Sequence, residues 1–499
     1  MILSELLRKG SIDYKPDSDI EISSIEYDSR KVMENSIFIA IEGFVTDGHK
    51  YIESAVNSGA AAVVYENPVD IPVSSATVFI KVNDSRAALS KLSSVFFGTL
   101  DSNIDFIGIT GTNGKTSITY MVESVLKISG YNPGVIGTVD YRWNNEKIPA
   151  PNTTPESRDL HEIIHKMRKD GVNIVIMEVS SHGLELGRVD DIPFRIGAFT
   201  NLTRDHLDFH HDFESYFKAK RKLFDLIADR TGNDKYAVIN SDDEYGKKLI
   251  DYLKNKNINV KSFSFNEDAD FYAEPSRTTA AIDKVILGIK GFDESIELKV
   301  PGRFSLFNGL TAFGICFSLG IKFSDIRKGM MSLESVPGRF DRVDVRADYN
   351  VIVDYAHTND ALEKLLMSAN EVADKRVITV FGCGGDRDKT KRPLMGRVAV
   401  DNSDIAIVTS DNPRTENPDR IINDILDGVK DCQKEYIVEP DRECAIKEAI
   451  YLAEPGDLVV IAGKGHEDYQ ILGKEKIHFD DKEVASKYML QRQNDDRNA

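Results

Sequence analysis

Between Gly111 and Ser117 the chain reads Gly-Thr-Asn-Gly-Lys-Thr-Ser, the residue types that a bound phosphate asks for. Backbone N–H groups of Thr112, Asn113 and Gly114 can face an anion, Lys115 adds a charge, and the Thr116 hydroxyl can ligate Mg²⁺. Such a loop works between a strand and a helix. The apolar run Phe106 to Ile109 predicts a short buried strand before it. Ile118, Met121, Val122, Val125 and Leu126 fit one helix face after it. One detail departs from the general nucleotide pattern: Ile109 stands where Gly-x4-Gly-Lys-Thr has its first glycine, and Gly108 lies one residue earlier. An ordinary strand-to-helix turn that happens to contain lysine is the weaker reading, because strand, loop, Lys-Thr pair and amphipathic helix agree.

Other chemistry-bearing residues lie at the ends of apolar runs. Residues 173–179 read as a buried parallel strand with Glu178 at its C-terminal end, and 196–200 as the next strand, running into Asn201 to Asp208. Ligands of open parallel sheets bind beyond the carboxyl ends of strands, so Glu178 and His206 are candidate Mg²⁺ ligands near Thr116; capping or turn work is the alternative. Mg²⁺ prefers oxygen, which makes His206 the weaker candidate. Lys220 sits in the basic helical segment 216–224, and composition does not separate it from Lys218 or Lys222, so a solvated lysine is the default. The cysteines at 316, 383, 432 and 444 form no C-x2-C pair. Cys383, in a Gly-rich turn, reads as a small residue tolerated in a tight loop rather than as a nucleophile.

The elements that must position these residues suggest an α/β chain. At 499 residues it is long enough for about three domains of ~150 residues each. Residues 1–103 alternate strands (36–42, 60–65, 77–82) with a helix over 49–59, and Asp101 to Asn103 reads as a linker. Residues 104–335 hold the phosphate loop, a Pro-rich loop over 149–155, a helix over 156–169, a strand over 296–300 and a helix over 309–319. Val336 to Asp341 reads as a hinge into 336–499. There the strands 351–354, 376–381, 405–410 and 457–462 each end in a polar or Gly-rich loop: Asp354 to His357, Gly382 to Arg387, Asp411 to Arg414, and Gly463 to Glu467. Four such loops predict a doubly wound sheet with a binding edge. The clusters Tyr27 to Arg30 and Gly43 to His49 are equally readable as turn chemistry, and Asn494 to Asn498 as a frayed tail.

Composition narrows the classes. Hydrophobic content of 41% and charged content of 29% are those of a globular protein, and a net charge of −18 argues against non-specific nucleic-acid binding. Local Arg and Lys clusters can still take anionic small substrates. No stretch approaches the ~18 apolar residues of a membrane span, and the start of the chain has no signal-like apolar region. The expectation is a soluble cytoplasmic protein with neither nucleic-acid partner nor membrane span.

Taken together, Asp28 to Arg30, Asp47 to His49, Thr110 to Thr116, Asn152 to Pro155, Glu178 to His182, Thr200 to Asp208, Asp354 to His357, Asp411 to Arg414 and Gly463 to Glu467 resemble, in order, the motifs of the Mur ligases. The shortened phosphate loop resembles that family's own version. The resemblance implies three domains: a smaller N-terminal α/β domain for the uridine nucleotide (1–103), a central P-loop ATPase with a parallel sheet (104–335), and a C-terminal Rossmann-like domain for the incoming amino acid (336–499). It implies that Ser29, Arg30, Asp47, His49, Thr153, Thr154, Ser180 and Arg188 hold a UDP-muramoyl-dipeptide. It implies that ATP lies along Gly111, Thr112, Asn113, Gly114, Lys115, Thr116 and Ser117, bordered by Asn308, Arg339, Asp354 and His357. Thr116, Glu178, His206 and Lys220 would serve Mg²⁺, with Lys220 carbamylated, and Lys115, Lys220 and His206 would be catalytic. Arg387, Asp411, Asn412, Pro413, Arg414, Gly463 and Glu467 would form the amino-acid pocket.

The implied reaction is ATP-dependent addition of meso-diaminopimelate to UDP-N-acetylmuramoyl-L-alanyl-D-glutamate through an acyl phosphate, by a monomer. Diaminopimelate carries a second carboxylate that a guanidinium such as Arg414 can bind bidentately, whereas lysine has none. The alternatives are a lysine-adding version of the same ligase, a folylpolyglutamate synthase-like ligase, and a P-loop NTPase that joins nothing.

Overall fold

The computed structural model describes residues 1–17, 19–43, 46–68, 76–282 and 284–498. Phe44 and Val45, inside the Gly43 to His49 cluster, lie outside the described residues. Among the described residues three mainly parallel sheets follow one another along the chain. The first pairs Ser24–Glu26, Ser36–Ile39, Ala60–Tyr65 and Val78–Lys81 in that order, all parallel.

The second sheet has nine strands. In spatial order they are Phe271–Tyr272, Asn259–Ser264, Tyr236–Asn240, Phe194–Phe199, Asp105–Thr110, Ile174–Glu178, Pro133–Ile136, Asp140–Trp143 and Glu146–Pro149. The last two form an antiparallel edge that the sequence reading did not anticipate. Successive residues of the central strands face opposite layers, as the pleat requires. Ile107, Ile109, Ile174 and Ile176 pack with the helix Lys115–Ile128, while Phe106, Val175 and Met177 pack with the helices Ser157–Lys169 and Phe213–Asp229. Ile109 is therefore a strand residue, fully buried beside Glu178, and the phosphate loop starts only at Gly111. That is the physical reason for the glycine missing at 109.

Gly108 has a separate purpose. It is paired across the sheet with Gly197. A Cβ at Gly108 would lie 2.8 Å from Leu223 Cδ1, and one at Gly197 would lie 2.5 Å from Ile227 Cδ1. The two glycines make a flat patch on which the helix Phe213–Asp229 lies close to the sheet, and this brings Lys220 down to the phosphate loop.

The third sheet has the order Asp341–Arg342, Asn350–Asp354, Leu458–Ala462, Val377–Phe381, Ile405–Val408 and Tyr436–Val438, parallel except for its first pair. Helices cover both faces, as the alternation predicts. Val336 is buried with the central core and Phe340 with the third, so the chain passes from one to the other within four residues.

Several boundaries differ from the sequence reading. The segment 49–59 is a short 3₁₀ turn, Gly48–Tyr51, followed by the helix Ile52–Asn57. The helix placed at 309–319 runs Phe304–Ser318, because Phe304 and Leu306 pack before the pattern at Gly309 begins. The tail read as frayed instead continues the helix Asp481–Asn498, whose Ala485 and Met489 are buried with Val351 and Val353 on the face of the third sheet opposite Phe340.

Candidate active site

The phosphate loop is the turn between the strand Asp105–Thr110 and the helix Lys115–Ile128. Gly114 begins the helix at φ +92, a backbone region that L side chains rarely adopt, and a Cβ there would meet Asn308 Oδ1 at 2.5 Å. Asn308, one of the implied ATP neighbours, is thus packed against the loop. Lys115 Nζ donates to the carbonyls of Gly111 and Thr112, each at 2.9 Å. Lys220 Nζ donates to the same Gly111 carbonyl at 2.8 Å and lies over the Tyr216 ring. Burial, with the Lys115 charge adding to it, holds the Lys220 amine well below the usual lysine range. The buried Lys220 and half-buried Lys115, both donating to neutral carbonyls beside backbone N–H groups at a helix start, fit an anion such as a triphosphate.

Lys220 corrects the composition-based default. It is 1% exposed, while Lys218 is exposed and Lys222 pairs with Glu185. The helix turns one face of three neighbouring lysines inward, which the chain alone does not reveal.

Oxygen ligands suited to Mg²⁺ lie next to the loop. Thr116 Oγ1 donates to Glu178 Oε2 at 3.1 Å, and Thr138 donates to Glu178 through both its N–H and its hydroxyl, each at 2.9 Å. Glu178 is buried, so these donors hold its carboxylate in place. The residues fit a hard divalent cation on this side. His206 stands apart from the pair. Its ring is edge-on to His182 at 4.8 Å and lies 3.4 Å from Asp205. Among the described residues no three His, Cys or acidic side chains form a metal-holding cluster.

Next along the sheet edge is the turn 152–155. Thr153 Oγ1 lies 3.0 Å from Thr138 Oγ1. The buried Thr154 hydroxyl donates to the Glu178 carbonyl at 3.0 Å and accepts from Ser180 N–H at 3.0 Å. Ser180 caps the helix Ser181–Glu185, and Arg188 Nη1 donates to the Thr154 carbonyl at 2.9 Å. Thr154 and Ser180 therefore shape this turn, while Arg188 also faces Glu156 at 3.3 Å.

In the first sheet, Arg30 keeps 87% of its side chain exposed while paired with Asp28 at 2.7 Å, and Ser29 is buried beside it. His49 follows the turn reading of its cluster. Its ring is buried, with Nδ1 bonded to Asp47 at 2.6 Å and Nε2 accepting from the N–H groups of Glu66 and Asn67. Both nitrogens are committed within the fold, so His49 locks a turn rather than facing a ligand. This first unit docks on the central one through Tyr27 to Asp159 (2.6 Å), Arg158 to Glu26 (3.1 Å) and Arg86 to Glu156 (2.9 Å).

The third sheet brings Arg339 to the loop: Nη2 donates to Thr116 Oγ1 at 3.3 Å, with the guanidinium over the Tyr355 ring. Asp354 accepts from the N–H groups of Phe340 (2.7 Å) and Ala356 (2.8 Å), fixing that turn. His357 Nδ1 bonds to the Tyr355 carbonyl at 2.8 Å. Farther along the edge, Asn412 donates to Glu467 at 2.9 Å and Arg414 Nη1 to the Gly385 carbonyl at 2.7 Å, with Pro413 between them. Burial raises the Glu467 carboxyl, and Lys464 at 3.6 Å opposes that. Asp411 is buried with Oδ1 lacking a hydrogen-bond partner, beside Gly463. Arg387 is exposed and donates to the Asp386 carbonyl. Cys383 is buried, its thiol pushed up to about 12 by burial, as befits a packing residue. Sequence reasoning assigns no role to Thr138, Thr203, Tyr216 or Asp360, although Thr203 lies in the Thr200 to Asp208 motif and Tyr216 in the segment 216–224.

Three family descriptions match the chain: "Mur ligase family, catalytic domain" over residues 21–97, "Mur ligase middle domain" over 109–316, and "Mur ligase, glutamate ligase domain" over 338–465. A UDP-N-acetylmuramoyl-L-alanyl-D-glutamate--2,6-diaminopimelate ligase of Clostridium acetobutylicum is 44% identical over 486 residues, covering 96% of this chain and 98% of that protein. The ligase of the same name from Clostridioides difficile is 45% identical over 475 residues, covering 95% and 96%. A solved structure of a ligase of that name superposes with a TM-score of 0.69 at 29% identity, covering 99% of this chain and 100% of the other.

Proposed function

Because the chain belongs to the Mur ligase family, we propose that it joins meso-diaminopimelate to UDP-N-acetylmuramoyl-L-alanyl-D-glutamate at the expense of ATP. The observation that carries this reading is the meeting of Lys115 and Lys220 on the Gly111 carbonyl, beside Thr116 and Glu178. Residues 1–103 would take the uridine nucleotide, 104–335 ATP and 336–499 the incoming amino acid, in a cytoplasmic monomer.

A carboxylate is a poor electrophile, so amide formation in water needs activation. In this reading the D-glutamyl side-chain carboxylate attacks the terminal phosphoryl group of ATP, giving an acyl phosphate and ADP. Lys115 and the loop N–H groups offset charge on the transferring phosphoryl group. Mg²⁺ held at Thr116, Glu178, His206 and a carbamylated Lys220 would add a fixed positive charge there. A lowered amine pKa supports carbamylation, since the free amine is the form that adds CO₂, releasing a proton. The amine of diaminopimelate then displaces phosphate from the activated carbonyl. Arg414, aided by Asn412, Asp411 and Glu467, would read the charged far end of the amino acid.

Phosphate release measured with UDP-N-acetylmuramoyl-L-alanyl-D-glutamate and a panel of amino acids tests the reading. Release with meso-diaminopimelate, and a product mass equal to the tripeptide, are expected. Preference for L-lysine would move the reading to the lysine-adding ligase. Nucleotide turnover without any product would overturn it.

A further inference from the structure

Asp360 belongs to the first turn of the helix Asn359–Val372, which packs on the third sheet, yet its carboxylate reaches the phosphate loop of the second. Oδ2 accepts from Thr203 Oγ1 at 2.8 Å and from Asn113 Nδ2 at 3.3 Å, and Lys364 Nζ donates to it at 2.9 Å. The helix start that carries it is itself fixed, because Thr358 accepts from Ala361 N–H. Behind Thr203 the contacts continue inward. Its N–H donates to Thr112 Oγ1 at 3.0 Å, that hydroxyl lies 3.2 Å from the Tyr216 hydroxyl, and the Tyr216 ring lies under Lys220 Nζ.

A carboxylate beside an anion-binding loop repels the ligand, so phosphate binding by itself gives no reason for Asp360 to be there. Three donors converging on one oxygen give it a defined orientation instead. Its two donors from the second sheet's edge, Asn113 and Thr203, belong to different loops, so the carboxylate ties both to the helix Asn359–Val372 at once.

From this we infer that Asp360, through Thr203 and Asn113, is a positioning residue that registers the third sheet's binding edge over the phosphate loop. The inference rests on the ligase reading above and adds what sets the approach of the amine. The incoming amine is held by loops of the third sheet and the activated carbonyl by the second. An error of about 1 Å between reacting groups can lower a rate by ~100-fold.

The test compares Asp360→Ala, Asp360→Asn, Thr203→Val and the double variant Asp360→Ala/Thr203→Val in the full chain. Asp360→Ala is expected to lower kcat roughly 10-fold or more, with ATP affinity within about 2-fold of the parent. Asp360→Asn, whose side-chain oxygen still accepts from Thr203, should recover part of the loss. The double variant should be no slower than Asp360→Ala, because the contact with the carboxylate that Thr203→Val removes is one that Asp360→Ala already removes. Multiplying losses, or a fall in ATP affinity matching the fall in kcat, would overturn the inference. Hydrogen exchange at the Asn113 and Thr203 amides gives a readout that needs no turnover. Faster exchange in Asp360→Ala supports the link, and unchanged exchange overturns it. A parent protein without ligase activity would defeat the functional reading while leaving this exchange result able to decide the contact.

Discussion

The amine of Lys220 and the carbonyl of Gly111 meet at 2.8 Å across 109 residues of sequence. One lies at mid-helix and the other opens the phosphate loop, and the contact exists because the helix rests directly on Gly108 and Gly197. From it follows the first expectation.

Lys220→Ala should lower ligase turnover by about 100-fold or more, the scale of removing one preorganised charge-stabilising group. If the residue works as a carbamate, a short carboxylic acid added to the variant should restore part of the activity. Full activity in the variant, or no response to added acid, would count against the role assigned to it.

Gly108→Ala should disturb the same helix from below. The new Cβ would press on Leu223 Cδ1 at 2.8 Å and Phe194 Cε1 at 3.0 Å in a filled core. Overpacking of this kind costs about 1–3 kcal/mol, readable as a lower denaturant midpoint with an unchanged slope. An unaltered midpoint would mean that the helix has room to give.

Arg414→Lys should raise KM for meso-diaminopimelate by roughly 10- to 100-fold, the equivalent of one charge-assisted hydrogen bond of about 1.5–3 kcal/mol. The KM for L-lysine, which has no second carboxylate, should stay within about 2-fold. Steady-state kinetics with both amino acids decide it, and equal changes for the two would remove Arg414 from the specificity argument.

Acid sensitivity should trace in part to Glu416. Its carboxylate accepts from the Arg392 guanidinium, the Lys389 ammonium and the Asp386 N–H, and these donors hold it at about 2, below the ordinary 4.5. Because the folded-state value is depressed, this stabilisation is present in full above the unfolded value and is lost as pH falls from about 5 towards 2. Denaturation midpoints against pH should therefore fall less steeply over that window in Glu416→Gln than in the parent. The loops 382–388 and 412–416 that these bonds tie together carry Arg387 and Arg414.

Much of this protein is local and could be read from the chain. The strand before Gly111 and the helix after Lys115 follow from runs and periods of apolar residues, and the inward face predicted for that helix is the buried one. Glu178 stands beside Thr116 because the strands Asp105–Thr110 and Ile174–Glu178 are parallel neighbours that end at the same edge. The two readings of His49, turn residue or ligand contact, stay level in the chain because two of its partners, Glu66 and Asn67, are 17 and 18 residues away. A histidine beside a glycine gives no sign of which backbone groups will close around it.

Sequence alone determined the phosphate loop, the βα alternation on either side of it, and the order of polar loops that resembles the Mur ligases, because each is written in neighbouring residues. Tertiary structure decided which of three nearby lysines is buried, that Gly108 and Gly197 form one surface, and that Asp360 reaches Asn113. Those outcomes depend on how closely a helix can approach a sheet and where two sheets meet. Both are set by side-chain volumes and hydrogen bonds between residues distant in the chain, and no local pattern encodes them.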